Sequence, residues 1–279
     1  MNPTEIEISS AQRASWNKFS PGWRKWDELV MSFLSPQLDR LLHHLQPGET
    51  QVVLDIAGGT GEPGLSIAGR LQGGRVVLTD LADGMLQVAR EKAAAARVGN
   101  IEFQLANACE LKFPDESFDL VSCRLGFMFF PDMQHAANEM ARVLKKGGRL
   151  ATTVWDGPEQ NFWITCMVQA IGKFLDVPKP PPGAPGMFRC AQPGLIAGMF
   201  TAAGLRDVKE ELVPGKLRVG SAERYWEMVT EISAPFVAAL EKADAPTVAK
   251  IKAEVLQTMH AQFPDGAIDS SARVIAARK

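Results

Sequence analysis

Short apolar runs rich in Val, Ile and Leu recur through the middle of the chain, and each reads as a strand. They are Gln51–Ile56 (QVVLDI), Arg75–Thr79 (RVVLT), Ile101–Leu105 (IEFQL), Phe118–Cys123 (FDLVSC) and Arg149–Val154 (RLATTV). Helical patterns separate them, among them Met85–Ala96 and Met133–Leu144. Runs this apolar are buried on both faces, so the alternation predicts an α/β fold with a mostly parallel, doubly wound sheet and right-handed crossovers. Leu205–Val213 and Ser271–Arg278 add two strand patterns near the end.

The flanks read differently. Residues 5–45 carry no strand pattern and are rich in Trp and Phe, Gln160–Leu175 is helical, and 221–263 is mostly helical, broken near Pro235 and Pro246. Val177–Pro185 (VPKPPPGAP) is too dense in proline for a helix or an inner strand and suits the stiff edge of a lid. We therefore expect an N-terminal helical cap segment over 1–45. A domain over 46–279 follows, with cap insertions at about 157–200 and 220–263. The sheet core would take 46–156, 204–215 and 267–279.

Composition narrows the function. The 279 residues are 46% hydrophobic and 22% charged, enough apolar material for a large core and too much for a disordered chain. Thirty Lys+Arg against 32 Asp+Glu give a net charge of −2, without the basic footprint of a nucleic-acid binder. Cys109, Cys123, Cys166 and Cys190 form no Cys-x-x-Cys pair, so free thiols in a reducing compartment are expected and no metal site. The first residues include Glu5 and Glu7 and lack the apolar stretch of a secretory signal. The most apolar window, Leu120–Pro131, is interrupted by Arg124 and falls short of the roughly 20 residues a membrane span needs. A cytoplasmic location is the expectation.

The sharpest chemistry lies in Val52–Gly64 (VVLDIAGGTGEPG). A strand ends at Asp55 and Ile56, Gly58, Gly59 and Gly61 follow, and Pro63 opens a helix. Glycines let a backbone turn sharply and approach a ligand, and a helix start offers free N–H groups. The next strand ends in Asp80, about 20 residues on, where an acid can accept bonds from both hydroxyls of a ribose. Gly59, Gly61 and Gly64 also spell the dinucleotide fingerprint, so an NAD-dependent oxidoreductase competes. Asp55 argues against it, because a carboxylate before the loop suits an amino-bearing ligand and repels a pyrophosphate.

The segments LDIAGGTG, VVLTDLADGML, NACELKFPDESFD and RVLKKGGRL, in this order, resemble the class I S-adenosylmethionine-dependent methyltransferases. Within them the chain is similar to the ubiquinone/menaquinone C-methyltransferase-like, methyltransferase type 11, small-molecule branch. The resemblance covers about residues 50–155 and implies a seven-stranded Rossmann-like fold with S-adenosyl-L-methionine as cofactor. It places Asp55, Ala57, Gly58, Gly59 and Gly61 along the methionine part of the cofactor. Asp80, with Leu81 beside it, falls on the ribose, Met85 near the adenine, and Asn107 and Ala108 at the adenine edge. Arg124 falls where the chain passes cofactor and acceptor. Ala57 stands for the first glycine of the commonest loop, and Lys146 for the proline of the usual PGG turn.

Methyl transfer from a sulfonium is an in-line displacement that needs positioning and exclusion of water, and a base only where the acceptor must lose a proton. None of His43, His44, His135 and His260 is assigned that role. The aromatic residues of 16–26 and 127–130, with Trp155, suggest an apolar pocket. Phe19, Trp23, Phe127, Met128 and Trp155 are the candidates to bind a small, largely apolar or aromatic acceptor, where an aromatic ring can also face a sulfonium. No nucleic-acid partner and no membrane span are expected. A non-catalytic protein that binds S-adenosylmethionine is the other alternative.

Overall fold

The computed structural model describes residues 2–177, 181 and 183–279. The expected lid edge at 178–185 falls in part outside them. Seven strands form one sheet: β1 (Val52–Ile56), β2 (Arg75–Asp80), β3 (Ile101–Leu105), β4 (Phe118–Arg124), β5 (Leu144–Trp155), β6 (Arg206–Arg218) and β7 (Ala267–Arg278). Their order is β3-β2-β1-β4-β5-β7-β6, with β1 to β5 parallel and β7 antiparallel to both of its neighbours. The chain leaves β1 toward β2 on one side and returns to β4 on the other. That reversal opens a crevice at the carboxyl ends of β1 and β4.

The helices are α1 (Pro3–Lys25), α2 (Asp27–Phe33), α3 (Ser35–Leu45), α4 (Gly64–Ala68), α5 (Asp83–Ala95), α6 (Met133–Val143), α7 (Phe162–Gly172), α8 (Leu195–Ala202), α9 (Ala222–Ile232), α10 (Ala234–Leu240) and α11 (Ala245–Gln262). Alternate strand residues face opposite layers, as the period of two requires. Val53, Val76, Leu78, Leu120 and Ala151 pack with Leu41 and Leu45 of α3 and Ile67 of α4. Leu54, Val77, Val121, Cys123 and Leu150 belong to the larger core on the other face, with Met140 of α6 and Phe200 of α8. All four cysteines are free and buried.

Three strands run longer than their apolar patterns. β6 continues through Pro214 and Gly215 to Arg218, because it is the edge strand, where a missing N–H costs no ladder bond. β7 starts at Ala267 to pair with that extension, Leu217 lying opposite Ile268. β5 begins at Leu144, with a register shift against β4 between Phe118 and Leu120.

Residues 3–45 fold into α1, α2 and α3 with no strand, and they divide their work. α3 lies on the sheet against β4 to β7, whereas α1 crosses to α5 and α9. Asn2 caps α1, accepting from the Glu5 N–H while the Glu5 carboxylate accepts from the Asn2 N–H. Where α1 meets α9, Gly22 leaves no room for a side chain, since a Cβ there would lie 2.0 Å from the Glu231 carbonyl oxygen. Gly22→Val is therefore expected to push α1 from α9 and to cost about 1–3 kcal/mol in urea unfolding, with earlier proteolysis of the N-terminal segment. An unchanged unfolding midpoint would show that this contact is loose.

Candidate functional site

The glycine loop between β1 and α4 is held from below by Asp55 and from the side by Asp80. Asp55 is fully buried, accepting from the Gly64 N–H (2.9 Å) and the Ser122 hydroxyl (2.6 Å). It braces the loop from behind, and neither oxygen faces the crevice openly. Burial is the main cause that raises its carboxyl to about 7, against the lowering effect of Ser122, Gly64 and the nearby Arg124 charge. Asp80 stands at the end of β2, where Oδ2 accepts from the Gly59 N–H and Oδ1 from the Ala82 N–H, both at 2.9 Å. Burial raises its pKa, while the Ala82, Gly59 and Leu81 N–H groups oppose the shift.

The loop needs its glycines. Gly59 and Gly61 have φ of +55° and +119°, and a Cβ on Gly58 would lie 2.5 Å from Leu78 Cγ. Ala57 takes φ of +53°, the left-handed region that a glycine enters without strain. The substitution for glycine in this loop therefore stores a small local cost. Met85 of α5 is buried, and its Cε lies 3.5 Å from where a Gly59 Cβ would sit. The sequence-assigned residues of β1, the loop and β2 thus meet at one spot.

Asn107 and Ala108 follow β3 on the same edge of the sheet. The Asn107 Oδ1 accepts from the Cys109 N–H (2.9 Å), and its amide donates to the Ser9 hydroxyl of α1 (3.3 Å). Arg124 ends β4. Its Nε donates to the Glu62 carbonyl (3.2 Å) and Nη2 approaches the Met31 sulfur (3.1 Å), while Nη1 is enclosed without a partner. Desolvation lowers the Arg124 pKa, opposed by Glu62, Asp55 and Asp27. A buried donor without an acceptor is costly, so Nη1 suits an anionic or carbonyl group brought by a ligand.

α1 and α2 cover this crevice from end to end. Besides Ser9 on Asn107, the Asn17 Oδ1 accepts from the Gly84 N–H of α5 (2.8 Å), and Asp27 accepts from the Thr60 hydroxyl of the loop (2.6 Å) while pairing with Lys92 (2.7 Å).

Comparison with known proteins agrees with this geometry. The family profile described as a methyltransferase domain matches residues 53–148, from β1 into β5. The chain is 46% identical over 113 residues to the ubiquinone/menaquinone biosynthesis C-methyltransferase UbiE of Marinomonas sp., covering 39% of this chain and 45% of that protein. It thus spans less than half the length of such relatives. With the demethylmenaquinone methyltransferase of Thermus thermophilus it shares 33% identity over 204 residues, 70% of this chain and 82% of the relative. The chain belongs to the class I S-adenosylmethionine-dependent methyltransferases. The YcgJ protein of Bacillus subtilis shares the fold, with a TM-score of 0.59 at 21% identity over 87% of this chain and 97% of that one.

The residues present fit the cofactor of this methyltransferase family. Asp80 would keep lone pairs for the ribose hydroxyls beside its two backbone bonds, the positive-φ glycines would let the backbone approach, and the enclosed Arg124 Nη1 would be left as a donor for the cofactor.

The aromatic candidates separate. Trp23 of α1 lies beside Trp16, with ring centroids 5.9 Å apart, and Trp16 meets Phe129 edge-on at 5.2 Å. The Trp23 indole N–H donates to the Ile232 carbonyl of α9 (3.2 Å). Trp155 joins another cluster, stacking on Phe33 at 5.7 Å and meeting Trp163 at 5.1 Å. Phe127 and Met128 are fully enclosed in the core, where Phe127 packs on Phe130 and Phe200. Phe19 of α1 is buried. Trp16 and Phe129, both half-buried, belong to the aromatic runs read as a pocket but were not among the named acceptor candidates. Trp16 shares a helical stripe with Phe19 and Trp23, a signal that was available. Phe129 is turned outward by a 3-10 turn over Phe127–Phe129, which apolar density alone does not show.

Proposed function

We propose that this chain transfers a methyl group from S-adenosyl-L-methionine to a small, largely apolar or aromatic metabolite. The observation that carries the reading is the grip of Asp80 on the glycine loop beneath a helix that brings Trp16 against Phe129, with Trp23 beside Trp16. When bound, the cofactor supplies a sulfonium whose methyl carbon is open to in-line displacement. Asp80 and the loop N–H groups hold it, Arg124 anchors its carboxylate end, and α1 excludes water. The ring cluster of α1 and Phe129 orients the acceptor. Positioning of this kind supplies several kcal/mol of barrier reduction, up to about 7–11 in good cases. The relatives' names, ubiquinone/menaquinone biosynthesis and demethylmenaquinone methyltransferase, support an acceptor with an apolar ring.

No histidine stands at the ring cluster. His44 bonds Glu211 between α3 and β6, His260 lies 3.7 Å from Glu223, and His135 is exposed at the start of α6. We therefore assign no general base, and an acceptor that is already nucleophilic suits the site.

A screen of small metabolites that follows S-adenosylhomocysteine formation tests the reading. Turnover with an apolar or aromatic acceptor is expected, and turnover with peptides or nucleic acid alone would overturn it. With an acceptor in hand, Trp16→Ala or Trp23→Ala is expected to raise its KM by about tenfold, the loss of ~1.4 kcal/mol of ring contact. The cofactor Kd should hold. A fall in cofactor affinity with unchanged acceptor KM would move these rings out of the acceptor site.

A further inference from the structure

On the far side of α2 from the glycine loop, a cavity of about 640 Å3 opens between α2, the end of β6 and the start of α9. Leu29 and the edges of the largely buried Trp26 and Phe33 rings form its apolar part. Its rim is basic. Lys25, Lys216, Arg218 and Arg224 stand around it against the single carboxylate of Glu28.

Two of these cations are already matched, Lys25 by Glu231 at 2.7 Å and Lys216 by Asp269 at 2.9 Å. Arg218 and Arg224 have no ion-pair partner among the described residues, although Arg224 lies over the Trp26 ring at 5.6 Å. Two uncommitted guanidinium groups therefore face one concave space with an apolar part. Guanidinium forks suit carboxylate and phosphate oxygens, and aromatic edges suit a flat apolar body.

We infer that this cavity binds a small organic anion, an aromatic or alkyl phosphate or carboxylate, at a site separate from the cofactor crevice. The separation follows from helix geometry. Asp27 and Met31 of α2 face the glycine loop and Arg124, whereas Leu29 and Phe33 line the cavity. Positions two apart on a helix point about 160° apart. Ligands on the two sides of α2 do not overlap, and the site stands whether or not the chain transfers methyl groups.

Phenyl phosphate is a suitable probe, with phenol and inorganic phosphate as its two halves. The chain contains six tryptophans, so indole 15N labelling gives few signals, and Trp26→Phe assigns the one at the cavity. Titration with phenyl phosphate is expected to shift the Trp26 indole signal. The exposed double variant Arg218→Gln with Arg224→Gln should weaken that binding by about fivefold or more while leaving the far-ultraviolet spectrum unchanged. Each half alone should bind more weakly than the whole, and saturating S-adenosylhomocysteine should leave the phenyl phosphate titration unchanged. Equal binding by phenol, indifference to the double variant, or displacement by S-adenosylhomocysteine would overturn the proposal. Arginine-dependent binding to anionic phospholipid vesicles without any response to phenyl phosphate would overturn it in favour of a membrane surface.

Discussion

Asp80→Ala is expected to weaken S-adenosylhomocysteine binding by about 3 kcal/mol, ~150-fold, because charge-assisted bonds to the ribose are lost together with the hold on the loop. The carboxylate is nearly buried, and it joins the Gly59 N–H of the loop to the Ala82 N–H ahead of α5. Alanine leaves both N–H groups unsatisfied and the loop without its lateral brace. Asp80→Asn keeps one acceptor oxygen and should fall between the two. Titration calorimetry reads both, with far-ultraviolet circular dichroism as the check on folding. Unchanged affinity in Asp80→Ala would remove the ribose role from this residue.

Asp55→Asn carries the second large effect, and its two consequences have opposite signs. The carboxyl sits at about 7 instead of the ordinary 3.8 because burial penalises its charge. Between those values the folded chain keeps a proton that the unfolded chain releases, so stability falls as the pH rises through that window. Asparagine removes the penalty and preserves the geometry, its oxygen accepting from Gly64 and its amide donating to Ser122. At pH 8 the apo variant should gain about 2–4 kcal/mol, a rise in Tm of roughly 5–10 °C, and the gap should narrow as the pH falls toward 5. S-adenosylmethionine, a net cation, should bind the variant more weakly, and the loss should be larger than for the neutral S-adenosylhomocysteine. For the unaltered chain, affinity for the cation should rise as the pH passes through about 7, where Asp55 loses its proton. A variant less stable than its parent at pH 8 would show that the Asp55 charge is compensated in the fold.

The sheet was legible because buried parallel strands are written as uninterrupted Val, Ile and Leu, and β1 to β5 each carry such a core. The extension of β6 through Pro214 was not, since Pro-Gly reads as a turn unless the strand is known to be at an edge. The cofactor crevice was legible for a related reason. Its chemistry rests on glycines and two acids whose spacing follows local strand–loop–helix geometry, and the structure brings Gly59, Ala82 and Asp80 together. The sequence did not show that Asp55 would lie behind the loop, because burial depends on Ser122 from β4, which is distant in the chain.

The acceptor side was harder to read. Aromatic density marked residues 16–26 and 127–130 without distinguishing core from surface, and that distinction arises only when helices from both ends of the chain dock. Phe127 and Met128 are enclosed, whereas Phe129 turns out to meet Trp16. The cationic cavity is a tertiary feature as well. Lys25, Arg218 and Arg224 come from α1, β6 and α9, and no stretch of the sequence gathers them.

The central claim is that the β1 loop and Asp80 hold S-adenosylmethionine and not a dinucleotide. Parallel calorimetric titrations of the unaltered chain with S-adenosylhomocysteine and with NAD test it most directly. One S-adenosylhomocysteine per chain is expected, with that binding about 150-fold weaker in Asp80→Ala and no heat from NAD. Binding of NAD with no binding of S-adenosylhomocysteine would contradict the account.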